Sequence, residues 1–102
     1  MRIVKEKFLR DAAEQHPDAA KYLAAWVATV RVAQWRTFVD LRRAYPSADL
    51  VRVGSEKPVI VFDVRGNRYR LIVAIHFDRQ LAYALRFLTH AEYSREVWKN
   101  EL

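Results

Sequence analysis

Apolar and polar residues alternate with a period of two across residues 59–88, broken at two turns. In the segment 68–77 the odd positions Tyr69, Leu71, Val73, Ile75 and Phe77 are all apolar or aromatic, whereas Arg68, Arg70, Ile72, Ala74 and His76 are mixed. Strand geometry sends successive side chains to opposite faces, so the odd side is predicted to face the core. In 81–88 the large residues Leu81, Tyr83, Leu85 and Phe87 again fall on odd positions. A three-residue loop, Asp78-Arg79-Gln80, would pair Phe77 with Leu81 and Ile72 with Arg86, and would bring Arg86 diagonally close to Arg70. On the other side, Gly66-Asn67 is a two-residue turn signal. Counting back from it pairs Asp63 with Arg70 and Val61 with Ile72, and puts Ile60, Phe62 and Val64 on the core side. Both turn counts predict one sheet, with Arg68, Arg70, His76 and Arg86 on its open face.

Before residue 50 the period changes. Residues 1–4 are short, apolar and β-branched, as in an edge strand. In 5–15, Phe8, Leu9, Ala12 and Ala13 share one helical side. Pro17 disfavours helix at His16 and ends that helix. A second helix follows with Tyr22, Leu23, Trp26, Val27 and Val30 at helical spacing. Thr37, with Asp40 three residues later, caps a third over 37–44. A short strand is predicted at 50–53, then a loop through Pro58. Thr89-His90-Ala91-Glu92 forms a capping box that opens a last helix running to about Lys99. Helices first and antiparallel strands afterwards predict an α+β fold: N-terminal helices on a small, mainly antiparallel twisted sheet, with a C-terminal helix.

The 102 residues suffice for one domain, taken as 1–102, and at 52% apolar the chain folds rather than staying disordered. With no cysteine, neither disulfides nor thiolate metal sites are available. The three histidines lie in separate segments without ligand-pair spacing, so no metal and no cofactor is expected. No apolar run is long enough to span a membrane. The charged N-terminus lacks a signal-peptide apolar region, so the expected location is cytoplasmic. The net charge of +6 favours a polyanionic partner.

The candidate chemistry follows from the arginine face. Arg70 can be one half of a solvated ion pair with Asp63, contributing under about 1 kcal/mol, or a bidentate phosphate ligand oriented by Asp63. Arg86 beside it adds weight to the second reading. His90, at the first position of the last helix, lies where the helix dipole favours a neutral imidazole, as a general base requires. Tyr93, one helical turn on, can pack against Val97 or serve the site. His16 is expected in an exposed turn, Trp26 and Trp35 in the core, and Trp98 either on the core or against a partner.

The stretches DLRRAYPSADL, VFDVRGNRYRLIVAIHF and FLTHAEYSR resemble the HigB toxins of the RelE/ParE superfamily over nearly the whole chain. The Gly-Asn-x-x-Arg turn and the Thr-His-x-x-Tyr segment are the most specific pieces. The resemblance implies a RelE-like fold, metal-independent cleavage of mRNA on the translating ribosome, and neutralisation by a HigA-type helix-turn-helix antitoxin. It implies catalytic roles for Arg70, His90 and Tyr93. Arg86 joins them by position, with Arg68, Arg65 and Lys57 as RNA contacts. Two other readings remain: a ParE-like inhibitor of a protein such as gyrase, and a non-catalytic basic nucleic-acid-binding module. Against the module, the arginine face as counted lacks aromatic stacking platforms.

Overall fold

A computed structural model describes all 102 residues. Its elements run β1 Arg2–Val4, α1 Glu6–Gln15, a 3-10 turn Pro17–Ala19, α2 Ala20–Val32, α3 Phe38–Ala44, β2 Asp49–Arg52, β3 Pro58–Val64, β4 Tyr69–His76, β5 Leu81–Thr89, α4 His90–Ser94 and α5 Val97–Glu101. The five strands form one sheet in the order β1-β5-β4-β3-β2, antiparallel except where β1 runs parallel to β5. The α+β expectation holds, with β1 as the edge strand.

Two apolar layers sandwich the sheet. On one face α1, α2 and α3 bury Leu9, Leu23, Trp26, Val30 and Leu41 against Ile60, Phe62, Val64, Leu71 and Val73. Trp26 meets Phe62 edge-on, and Trp35 is buried in the same layer. On the other face a smaller cluster joins Val53, Val59, Val61 and Ile72 to Trp98 of α5. The face expected to be open is therefore covered along part of its length, and Ile72 on it is wholly buried. Trp98 caps this second cluster.

The β3–β4 register is the one the Gly66-Asn67 turn predicts: Asp63 faces Arg70 and Val61 faces Ile72. The β4–β5 register is as expected from Tyr69↔Thr89 to Ile72↔Arg86, then slips by one, so that Val73 pairs with Ala84 and His76 with Leu81. Leu85 is the extra residue of a β-bulge. From there back to the turn the facing is reversed. Ala82 and Ala84, not Leu81 and Tyr83, enter the main core. Small side chains there let the N-terminal helices approach β5 closely.

The last helix also departs from expectation. It ends at Ser94, and Glu96 takes a left-handed conformation, φ 61°, from which α5 starts in a new direction. That break folds α5 back over the sheet. The backbone N–H of Gly54 donates to the Lys99 carbonyl at 2.8 Å. A Cβ on Gly54 would stand 3.0 Å from that oxygen, so only glycine admits α5 here without a shift.

Candidate functional site

Arg70 is the one buried charged residue, 9% exposed. Its Nε lies 3.1 Å from Asp63 Oδ1. Nη2 donates to Asn67 Oδ1 at 3.0 Å, and Nη1 to the carbonyls of Tyr69, 3.1 Å, and Gly66, 3.4 Å. The Gly-Asn-x-x-Arg motif is thus a clip: Arg65 and Gly66, both at positive φ, turn the chain so that a carbonyl and an amide face back onto the arginine. The expectation of a weak, partly exposed ion pair is corrected. Burial makes the contacts of Arg70 structural as well as electrostatic, because removing it would strand the acceptors that surround it.

The remaining face of the guanidinium is covered by Tyr93, whose ring centroid lies 5.3 Å from the Arg70 Cζ. Tyr93 does not pack on Val97, which is exposed. It stacks on Trp98 at 5.3 Å and 20°. The Trp98 Nε1 donates to the Tyr93 carbonyl at 3.1 Å. The phenol ring thus contacts both a cation and an indole. Burial pushes its pKa above the ordinary tyrosine value, and the Arg70 charge opposes only part of that rise. A phenol in this setting keeps its proton at neutral pH and is suited to donate it.

His90 is the first residue of α4 and exposed. Thr89 accepts from the Glu92 N–H while Glu92 accepts from the Thr89 N–H, completing the expected capping box. The His90 N–H donates to the Arg68 carbonyl at 3.0 Å, tying α4 to the start of β4. Arg86 shares the outer face, opposite Ile72. It is partly exposed, its Nη1 donates to the Leu85 carbonyl at 2.7 Å, and its Nε lies 3.8 Å from Glu101. Its Nη2 has no protein partner. Of the two arginines, Arg86 is the one open to a phosphate.

The expected RNA-contacting cations divide. Lys57 and Arg65 are exposed, in the loop before β3 and the turn after it. Arg68 precedes β4 and turns to the helix side, where Nη1 meets Asp18 Oδ2 at 2.8 Å. The Tyr69 hydroxyl donates to the other oxygen of the same carboxylate at 2.8 Å. These two donors hold the Asp18 carboxyl below its usual pKa. Arg68 therefore does not share the Arg70 face. His16 is likewise not free: it is half-buried, its ring 4.9 Å from Tyr69 and 5.5 Å from Phe87. No group of three or more His, Asp or Glu side chains is placed to hold a metal ion. The largest cleft, about 780 Å3, opens beside Phe77, Asp78 and Gln80, away from Arg70 and Tyr93.

The two motifs that build the Arg70–Tyr93 contact lie within residues 19–96, which match the family model described as HigB_toxin, RelE-like toxic component of a toxin-antitoxin system. The chain belongs to the HigB toxin family. It is 30% identical over 93 residues to the mRNA interferase toxin HigB of Escherichia coli (strain K12), covering 91% of this chain and 88% of that protein. Identity and coverage are the same for the mRNA interferase HigB of Shigella flexneri. The mRNA interferase HigB of Escherichia coli O6:H1 is 25% identical over 95 residues, covering 93% and 90% of the two chains. As a HigB-family toxin the chain has an antitoxin as its partner. None of its helices is long and apolar enough to cross a membrane.

Proposed function

We propose that this HigB-family toxin is an endoribonuclease that cleaves mRNA on the translating ribosome in the cytoplasm, and that a HigA-type antitoxin silences it. The observation that carries the reading is the Arg70–Tyr93 contact. It joins the two family-specific motifs in one polar site at the rim of the sheet, in a chain similar to mRNA interferases over nine-tenths of its length.

The reaction is transphosphorylation. The 2′-oxygen attacks the adjacent phosphorus while the bond to the 5′-oxygen breaks, leaving a 2′,3′-cyclic phosphate and a 5′-hydroxyl. His90, exposed beside the site, takes the 2′-hydroxyl proton. Tyr93, protonated at neutral pH, gives its proton to the departing 5′-oxygen. Positioned acid–base pairs of this kind contribute about 10²- to 10⁴-fold each. Arg86, with a free Nη2, binds the phosphate oxygens as charge builds. Arg70 orients Tyr93 and adds its field from below. Lys57 and Arg65 meet the RNA backbone, where such contacts add affinity without sequence preference.

Induced expression tests this directly. Protein synthesis should fall first, with cuts inside coding regions of mRNA, and co-expression of the antitoxin should restore growth. Loss of DNA synthesis first, with mRNA intact, would favour a protein target such as gyrase.

A further inference from the structure

The bulge at Leu85 changes the chemistry of the outer sheet face. Had the Ile72–Arg86 pairing continued toward the turn, Tyr83 would face the N-terminal helices. Instead it pairs with Ala74 on the outer face. There its ring meets His76 edge-on, with centroids 5.4 Å apart at 82°. The strand partners of Tyr83 are small or short, Ala74 on one side and Val4 of β1 on the other. His76 is exposed and Tyr83 half-buried. Helices α4 and α5 cover the cluster around Ile72 and Trp98 at the other end of the face, reaching only as far as Arg86 through Glu101.

We propose that Tyr83 and His76 form a nucleobase-stacking platform for single-stranded RNA, continuous with the cleavage site through Arg86. The proposal rests on the endoribonuclease reading and adds to it where the substrate lies. Aromatic rings on an open sheet face bind unpaired bases by stacking, whatever the base, and a basic surround tracks the backbone. Here Arg2, paired opposite Leu81 and exposed, shares the face, because its neighbour Ile3 enters the core. Arg86 lies between platform and site. From Arg70 to Ala74 the strand advances about 13 Å, at roughly 3.3 Å per residue. That distance suits a few nucleotides of extended single strand. Bulges beside active sites commonly re-aim a side chain, and this one turns a tyrosine from core to surface. The net charge of +6 favours a polyanion such as RNA on this face.

The test is binding of an end-labelled single-stranded RNA with 2′-O-methyl riboses, which cannot be cleaved, followed by fluorescence anisotropy. Tyr83→Ala and His76→Ala should each weaken binding by roughly five- to a hundredfold, while Tyr83→Phe stays within about twofold of the parent. A duplex of the same sequence should show no dependence on Tyr83, since its bases are already stacked. His76 is exposed, so its variant serves should Tyr83→Ala fold poorly on melting. Unchanged single-strand affinity in Tyr83→Ala and His76→Ala overturns the platform. So does a Phe variant as weak as the Ala variant, and so does a loss confined to antitoxin binding. Cleavage of unmodified mRNA by the parent protein is read separately. A parent that leaves mRNA intact yet binds the single strand through Tyr83 removes the nuclease reading and keeps the platform.

Discussion

The Arg70 guanidinium lies over the Tyr93 ring, 5.3 Å from its centroid, and the Trp98 indole stacks with the same ring. Arg70 comes from the start of β4 and Tyr93 from α4, so the contact depends on both the strand register and the capping box that launches the helix. It also means that an arginine expected to be dispensable for folding is part of the packing.

Arg70→Ala should therefore destabilise as well as inactivate. Breaking a mostly buried pair whose partner, Asp63, is about one-third exposed costs about 2 to 3 kcal/mol, a fall of roughly 10 to 20 °C in Tm for a domain of this size. Arg70→Lys is the cleaner probe. An ammonium keeps the charge but cannot serve Asp63, Asn67 and two carbonyls together. Melting should drop by about 5 °C, and cleavage, measured well below that temperature, by more than about tenfold. Full cleavage by the lysine variant would leave Arg70 with a structural role alone.

Gly54→Ala tests how α5 supports the site. The new Cβ would press on the Lys99 carbonyl at 3.0 Å, and backbone cannot swing aside as a side chain can. Displacing α5 should cost about 1 to 3 kcal/mol, lower Tm accordingly, and reduce cleavage by loosening Trp98 beneath Tyr93. A variant that melts and cleaves like the parent would show that α5 adjusts freely.

Stability should fall at both ends of the pH scale. The Thr89 N–H holds the Glu92 carboxyl below its ordinary pKa, and Arg68 with Tyr69 does the same for Asp18. A depressed folded-state pKa stabilises above the unfolded value and is lost as pH falls through the folded one, so melting should weaken as pH drops below about 4. Burial raises the phenols of Tyr22 and Tyr45, and a hydrogen bond to Asp18 raises that of Tyr69. Raised values stabilise below about 10 and are lost above it. Asp18→Asn should flatten the acid limb, as read by Tm against pH. An unchanged acid limb would remove the Asp18 cluster from the balance.

The sheet around the Gly66-Asn67 turn was legible because a short turn and a period-two pattern fix register independently, and they agreed on Asp63 opposite Arg70. The bulge was not legible. Leu81, Tyr83, Leu85 and Phe87 are all large and apolar, yet both faces of this sheet carry apolar clusters. Size then no longer distinguishes inside from outside, and Ala82 and Ala84 belong to the core. Nor did the sequence signal the break at Glu96, where a non-glycine residue takes a left-handed conformation because α5 gains burial of Trp98. The burial of Arg70 and the packing of His16 depend on α5 and on the 3-10 turn after α1, contacts remote in sequence. Asp18, which gathers Arg68 and Tyr69, carried no local signal at all.

The most direct measurement of the central claim is single-turnover mRNA cleavage by Tyr93→Phe. The substitution deletes one hydroxyl and keeps the ring's contacts with Arg70 and Trp98, so the melting temperature should stay within a few degrees of the parent. If the phenol donates the proton to the 5′-oxygen, cleavage should fall by about 10²-fold or more, with RNA binding retained. A phenylalanine variant that cleaves at the parent rate would contradict the assignment of Tyr93 as the acid.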